Sequence, residues 1–166
     1  MALGTVIRSF ASPSGDPAGL AFDGRTLWNC DEVANLIYQV DPETGKVIRS
    51  IASPSSNPRG LTFDDRRLWN CDRDSDRIYQ IDPETGKVIR SFASPSGDPR
   101  GLAFDGRTLW NCDDSPNLIY QIDPETGTVI RSFASPSSHP RGLAFDGRTL
   151  WICDSGTNRI YQIDIG

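Results

Sequence analysis

Short apolar runs, each followed by a segment rich in Gly, Pro, Asp and Ser, succeed one another along the whole chain. Within one stretch these runs are GLAFD (101–105), TLWNC (108–112), LIYQI (118–122) and TVIRSF (128–133). Runs of this length between turn-forming residues are typical of β-strands, and no segment carries the i, i+3, i+4, i+7 apolar spacing of an amphipathic helix. The pattern therefore predicts an all-β chain in which each such stretch forms four strands, named A to D in chain order.

The segments that join these runs have the composition of tight turns. Asp-Gly at 105–106, between strands A and B, is a strong hairpin signal. DPETG at 123–127, between strands C and D, has Pro at its second position and Gly at its end, as β-turns often do. These turns predict antiparallel pairing of A with B and of C with D.

The pattern of four strands repeats with a period of 41 residues, without insertion or deletion. The tryptophans that mark the step are Trp28, Trp69, Trp110 and Trp151, and the cysteines are Cys30, Cys71, Cys112 and Cys153. A fixed period indicates an array of structural repeats rather than an ordinary globular core. We therefore interpret residues 1–166 as a single domain of four repeats, at 4–44, 45–85, 86–126 and 127–166.

Both faces of the strands are largely apolar. In strand B, Trp110 and Cys112 lie on one face and Leu109 lies on the other. Such a sheet must be covered on both sides, and a radial arrangement of four-stranded blades provides this cover. The sequence therefore predicts a β-propeller of four-stranded antiparallel blades.

The repeat also resembles known propellers. GLAFDGRTLW (101–110) and IYQIDPETG (119–127) are similar to blades of the NHL, YVTN and virginiamycin B lyase-like propellers, and to blades of bacterial glutaminyl-peptide cyclotransferases. The resemblance implies the propeller fold, and for the lyases and cyclotransferases it implies catalytic residues in particular blades. No distinctive position of this chain matches those residues. The near-identity of the copies indicates recent amplification or engineering.

Each end of the chain corresponds to half a blade, because residues 5–11 have the pattern of strand D and residues 159–165 that of strand C. We expect these halves to complete each other across a seam that protects the free sheet edges. Near-identical blades close into a ring at multiples of four. Four blades would splay by about 90° without the bulk needed at the rim. The geometry favours an eight-bladed ring formed by a homodimer and leaves a four-bladed monomer as the alternative.

The charge of the chain limits its partners. It has 17 Lys and Arg against 22 Asp and Glu, a net charge of −5. This balance argues against a protein that binds nucleic-acid phosphates or an acidic membrane surface. No stretch approaches the roughly 20 apolar residues of a membrane span. We expect a soluble protein with no nucleic-acid or membrane partner.

The four cysteines occupy the same position in each repeat. Stacked sheets lie about 10 Å apart, too far for a disulfide between equivalent residues. The spacing predicts four free, buried thiols, and with them a reducing, cytoplasmic location.

Differences between the copies gather in the D–A loops (SGDPA, SSNPR, SGDPR, SSHPR) and the B–C loops, which we expect on one face of the ring. Arg59, Arg100 and Arg141 precede strand A, which is nearest the axis in related propellers, and blade 1 has Ala18 there. The favoured interpretation is that their guanidinium groups pair with loop carboxylates such as Asp16 and Asp98. The alternative, which gives the candidate ligand site, is an anion site at the channel mouth.

Two further sets of polar residues are weaker candidates. His139, the only histidine, lies beside Arg141, either as part of the ligand site and a possible general base or simply solvated. Asp72, Asp74 and Asp76 have the alternate spacing of calcium ligands, but Arg77 replaces the expected glycine. We favour a turn in which Asp72 caps the loop, as Asp31, Asp113 and Asp154 do in the other blades.

The sequence carries no nucleophile elbow, phosphate loop or zinc spacing. We therefore expect no catalytic residues, no metal and no cofactor. The favoured function is a non-enzymatic, symmetric scaffold or binding module whose partners are a second copy of itself and a small anion. The alternative is an enzyme of the lyase or glutaminyl cyclotransferase type that uses the face of the D–A and B–C loops.

Overall fold

The computed structural model describes residues 6–166, which form antiparallel β-sheets and contain no helix. The strands are β1 (Pro17–Phe22), β2 (Leu27–Asp31), β3 (Leu36–Val40), β4 (Val47–Ala52), β5 (Pro58–Phe63), β6 (Leu68–Asp72), β7 (Arg77–Ile81), β8 (Val88–Ala93), β9 (Pro99–Phe104), β10 (Leu109–Asp113), β11 (Leu118–Ile122), β12 (Val129–Ala134), β13 (Pro140–Phe145), β14 (Leu150–Asp154) and β15 (Arg159–Ile163). Blades 1 to 3 are the four-stranded sheets β1–β4, β5–β8 and β9–β12, and blade 4 is the three-stranded sheet β13–β15. The predicted all-β propeller fold is confirmed.

The A–B turn of each blade is held by the aspartate that precedes it. In blade 3, the Asp105 carboxylate accepts hydrogen bonds from the backbone N–H and hydroxyl of Thr108 and from the indole N–H of Trp110 at 2.7 Å. Gly106 follows with a φ of +91°, which only glycine adopts without strain. The Asp-Gly signal thus sets both the hairpin and the position of the tryptophan.

Neighbouring blades pack through two different apolar faces. At the interface of blades 2 and 3, the first blade contributes Trp69, Cys71 and Ile78, and the second contributes Leu102, Leu109 and Ile122. All six are fully buried or nearly so. Burying a side chain of this size contributes about 1.5–3 kcal/mol. These contacts between blades therefore contribute substantially to stability.

The inner strands approach one another at a glycine. A Cβ built on Gly101 would lie 2.6 Å from the carbonyl oxygen of Arg141 in the next blade. Gly60 and Gly19 meet the next inner strand in the same way. Only glycine allows this approach, so Gly19, Gly60 and Gly101 within the inner strands fix the spacing of the four blades around the axis.

The four blades leave two end faces uncovered. β1 packs on β5, β5 on β9 and β9 on β13, but within residues 6–166 no comparable packing joins β13 to β1. Leu20 of blade 1 is 65% exposed and Ile160 of blade 4 is 72% exposed, whereas the equivalent Leu61, Leu102 and Ile119 at inner interfaces are buried.

The uncovered face of blade 4 corrects the prediction for the cysteines. All four thiols are free, as predicted, but only Cys30, Cys71 and Cys112 are buried. Cys153 is exposed, because no following blade packs against its strand.

The strand predicted at residues 5–11 is not formed. Thr5 lies outside the described residues, and residues 6–11 have no strand partner, because β15, the matching strand, lies in blade 4. The segment nevertheless lies on blade 1: Arg8 donates to the carbonyl of Pro42 at 3.0 Å, and Phe10 covers Gly45. Phe92 of strand β8 covers Gly127 of the next blade in the same way. Residues 6–11 thus occupy the place that the outer strand of a preceding blade would take.

Within the described part of the chain there is no helix long and apolar enough to cross a membrane.

Candidate functional site

The D–A and B–C loops lie on one face of the molecule, as predicted. The carboxylate that ends each strand B joins them: Asp113 accepts from the backbone N–H of Asp98 at 3.1 Å, and Asp154 accepts from that of His139 at 2.8 Å. Asp72 plays the same part in blade 2, where it also accepts from Ser75. The predicted capping role of these aspartates is confirmed.

The residue that precedes each glycine of strand A lies in a β-bulge. In blade 3, Gly101 pairs with Cys112 and Pro99 with Asp113, so Arg100 is the extra residue. A bulge turns its extra side chain away from the ladder. The register shifts in the same place in the other three blades. The bulge is the local cause that aims these side chains at the axis.

The three predicted arginines line one cleft at the channel mouth. Arg59, Arg100 and Arg141 surround a cleft of about 340 Å³ together with Ala18 and the inner-strand glycines. The structure therefore brings together three of the four residues that the sequence singles out for this site.

Each of these guanidinium groups has a carboxylate partner. Arg59 pairs with Glu32, and Arg141 lies 3.2 Å from a carboxylate oxygen of Asp114. Arg100, which is nearly buried, lies 3.0 Å from Asp98 and 3.4 Å from Asp114. An incoming anion would compete with these partners, so anion binding at the channel mouth stays a prediction.

His139 lies apart from the arginines. Its ring is exposed, with Nδ1 at 2.9 Å from the hydroxyl of Ser138, and it does not line the cleft. Of the two carboxylates suggested as arginine partners, Asp98 is one, whereas Asp16 lies exposed in blade 1, which has no arginine at that position.

The acidic run of blade 2 serves its own loops. Asp74 accepts hydrogen bonds from the hydroxyl of Ser56 and the amide of Asn57, and Asp76 adopts a left-handed φ of +50° at the loop end. These contacts account for the alternate carboxylates as loop structure.

Sequence reasoning missed the acidic partners in the B–C loops. Glu32 and Asp114 directly follow the capping aspartates, and each pairs with the arginine of the next blade. The signal appears when the B–C loop of each blade is compared with strand A of the next blade, rather than with the B–C loops of the other blades. In blade 4 the B–C loop has Ser155 at this position. A following blade equivalent to blade 1 would place Ala18 opposite it.

No protein-family model matches the sequence, and no curated protein matches it either. Solved structures match in fold. Glutaminyl cyclase from Myxococcus xanthus is 16% identical with a TM-score of 0.74, over 89% of this chain and 71% of that chain. Virginiamycin B lyase from Staphylococcus aureus is 21% identical with a TM-score of 0.70, over 90% of this chain and 52% of that chain.

A third similar structure is the computationally designed Ika4 protein, which is 19% identical with a TM-score of 0.69, over 99% of this chain and 100% of that chain. The present chain thus spans about half of the lyase and the whole of the designed protein. At these identities the likeness establishes the propeller fold and leaves function to be argued from the residues.

Proposed function

We propose that this chain is a non-enzymatic half-propeller that binds a second copy of itself to form an eight-bladed ring, and that this ring serves as a scaffold. One observation carries the proposal: the two uncovered end faces are the two halves of the interface that is repeated inside the chain. A heterologous contact of this kind forms a closed ring when the rotation from one unit to the next adds up to a full turn.

The end face of blade 4 carries the residues that one side of each inner interface uses. Trp151, Cys153 and Ile160 are partly or largely exposed, whereas the equivalent Trp, Cys and Ile of blades 1 to 3 are buried against the next blade. Three apolar side chains with no cover are costly in water, which favours their burial by a second copy.

The end face of blade 1 offers the matching receptor. An apolar pocket of about 330 Å³ is lined by Phe10, Leu20, Leu27 and Val40. The equivalent residues of blade 3 and of strand β8 pack around Trp69 in the inner interface. The pocket therefore has the size and composition to receive Trp151 of a second copy.

The strand edges are complementary as well. In blade 1, β3 pairs with β4 so that Gln39 lies opposite Arg49, and the arginine Nε donates to the glutamine at 2.8 Å. The same register, moved by whole repeats, pairs Gln162 of one copy with Arg8 of the other. The N-terminal segment would thus add the fourth strand to blade 4 and remove its free edge.

The backbone at the seam also has room for a following blade. A Cβ on Gly142 would meet only Cys153 of its own blade, at 3.2 Å, whereas Gly60 and Gly101 already meet the next inner strand. Ser155 and Ala18, the residues that would face each other there, are small and leave no buried charge without a partner.

The alternative is an enzyme that uses the face of the D–A and B–C loops, since two of the similar structures are a glutaminyl cyclase and a virginiamycin B lyase. The scaffold is favoured because the capping by carboxylates of this face recurs from blade to blade, and because Glu32 and Asp114 are engaged in ion pairs with the next blade. A catalytic site needs different groups that converge on one point.

Static light scattering over a range of concentrations tests the proposal. We expect a mass of about twice 18.3 kDa for the parent protein. Leu20→Arg should give the monomer mass, because a buried charge without a partner opposes closure. Ile130→Arg is the matched control, because Ile130 is exposed on the outer strand of blade 3 and lies on neither end face. A monomer of the parent protein at micromolar concentration would contradict the ring.

A further inference from the structure

Blade 2 departs from the repeat at its A–B turn, on the face opposite the D–A and B–C loops. Asp65 and Arg67 stand where the other blades have Gly and Thr. Asp65 keeps the left-handed backbone of the glycine, with a φ of +72°. The change to Arg67 has the larger effect, because the threonine it replaces accepts a hydrogen bond from a glutamine in each of the other blades.

The undisturbed arrangement is seen in blade 1. The amide of Gln39 donates to the hydroxyl of Thr26 at 2.9 Å, and its oxygen accepts from Arg49 at 2.8 Å. This holds the guanidinium of Arg49 over the ring of Trp28, 5.5 Å from its centroid. Blade 3 has the same chain of contacts, formed by Thr108, Gln121, Arg131 and Trp110.

In blade 2 this chain of contacts is broken. Arg67 has no acceptor oxygen to offer in its side chain, and Gln80 makes no side-chain hydrogen bond with any residue of 6–166, although it is only 7% exposed. Arg90 points instead to Glu125, at 2.8 Å. Most of Gln80 is buried, but the residue lines a groove open to solvent, so its amide is available to donate to a ligand bound there.

Gln80 lies in a groove of about 460 Å³ between blades 2 and 3. The guanidinium groups that line it belong to Arg66, Arg67, Arg90 and Arg107. Ile89 and Phe104 supply apolar walls. The lining carboxylates are Asp64, which is bound to the indole of Trp69 at 2.6 Å, and Glu125. Arg67 also lies 3.8 Å from Asp82, just outside the lining. The four guanidinium groups still outnumber these three carboxylates, so the groove is positive in a protein that is negative overall.

The equivalent groove between blades 1 and 2 has the opposite charge. Its lining contains Arg25 but also Asp23, Asp65 and Glu84. Its glutamine, Gln39, is already paired. The two equivalent grooves can therefore be compared within one chain. Only the groove between blades 2 and 3 has both the positive charge and the free amide.

We propose that the groove between blades 2 and 3 binds a small oxyanion, the carboxylate of an organic acid or the phosphate of an ester. The guanidinium groups neutralise the oxyanion and hydrogen-bond to it, the amide of Gln80 donates to one of its oxygens, and Ile89 and Phe104 contact its carbon skeleton. Both blades belong to one chain, so this site does not depend on ring closure. It also lies on the opposite face from the cleft of Arg59, Arg100 and Arg141.

The indole N–H signals of a ¹H–¹⁵N spectrum report on each groove separately, because each groove contains one tryptophan. Citrate and glycerol phosphate are the probes, and inorganic phosphate shows whether the carbon skeleton contributes. We expect the Trp69 signal to shift and saturate, with a weaker affinity at higher salt, while the Trp28 signal stays in place. Saturation by citrate alone or by glycerol phosphate alone would identify the class of ligand.

Arg67→Thr is the decisive variant, since it introduces the residue that the other blades carry and should fold. It removes one charge and restores a partner for Gln80, so affinity should fall about tenfold or more. Arg25→Ala, in the neighbouring groove, is the matched control and should bind as the parent does. An unmoved Trp69 signal, equal shifts of Trp28 and Trp69, or parent-like binding by Arg67→Thr would each overturn the proposal. Formation of the eight-bladed ring is tested separately, by the mass in solution. If the ring does not form, the Trp28 and Trp69 signals still report on anion binding.

Discussion

Replacing Ile160 with Ala should weaken association without unfolding the blade. Ile160 is 72% exposed in the single chain, whereas Ile119, its equivalent in blade 3, is buried. Complete burial of such a side chain contributes about 1.5–3 kcal/mol, so covering the exposed part contributes about 1–2 kcal/mol. A ring of two chains contains this contact twice, and the loss is about 2–4 kcal/mol. The dissociation constant should therefore rise by about 30- to 1000-fold.

Sedimentation velocity over a concentration series measures this change directly. Ile130→Ala is the control, because it removes the same group from a position that is 54% exposed on the outer strand. It should leave the dissociation constant as it is. Unfolding by denaturant at low concentration, where both variants are monomers, should show little difference from the parent. The reasoning fails if Ile160→Ala and Ile130→Ala associate equally well.

Three other outcomes are expected. In native protein diluted to monomers, the thiol of Cys153 should react quickly with a thiol reagent, and it should become protected as the protein concentration rises. Burial raises the pKa of Cys30 to about 12, so that thiol should react only after unfolding. In the unfolded protein all four thiols should react. Burial raises the pKa of Asp105, but hydrogen bonds from Thr108 and Trp110 outweigh this and leave it below its ordinary value. The stability this provides is present above about pH 4 and is lost as pH falls further, and Asp105→Asn should flatten that dependence in denaturant titrations between about pH 3 and 6. If the channel mouth binds anions, calorimetry with phosphate, citrate and sulfate should lose that component when Arg59, Arg100 and Arg141 are changed to Ala, and unchanged heats would remove the predicted site.

The strands could be predicted from the sequence because their signals are local. The run at 118–122 is strand β11 without any shift, and the strand predicted at 108–112 is moved by one residue in β10. Hydrophobic runs and turn residues act over a few positions, so they can be recognised in the sequence without knowledge of the fold. The bulge at Arg100 is less local, because it depends on how strand A meets strand B.

The candidate sites were less predictable, because their contacts join residues that are far apart in the chain. The arginines were found from their place before strand A, but the partner of Arg59 is Glu32, in the preceding blade. The groove around Gln80 needed three strands to be in place before the consequence of Arg67 became visible. Its sequence signal was the departure of DDRR (64–67) from DGRT, which a comparison confined to the D–A and B–C loops passes over.

The sequence by itself determined the period, the strands, the turns and the residues that pack between blades, because each repeat carries all of these signals. Cys112 and Cys153 have the same place in that pattern, yet one is buried and the other is exposed. Only the tertiary structure decided this difference, since the cover of a blade comes from its neighbour and not from its own residues. Burial between repeats is a property of the array, and the last unit of an array has one neighbour fewer.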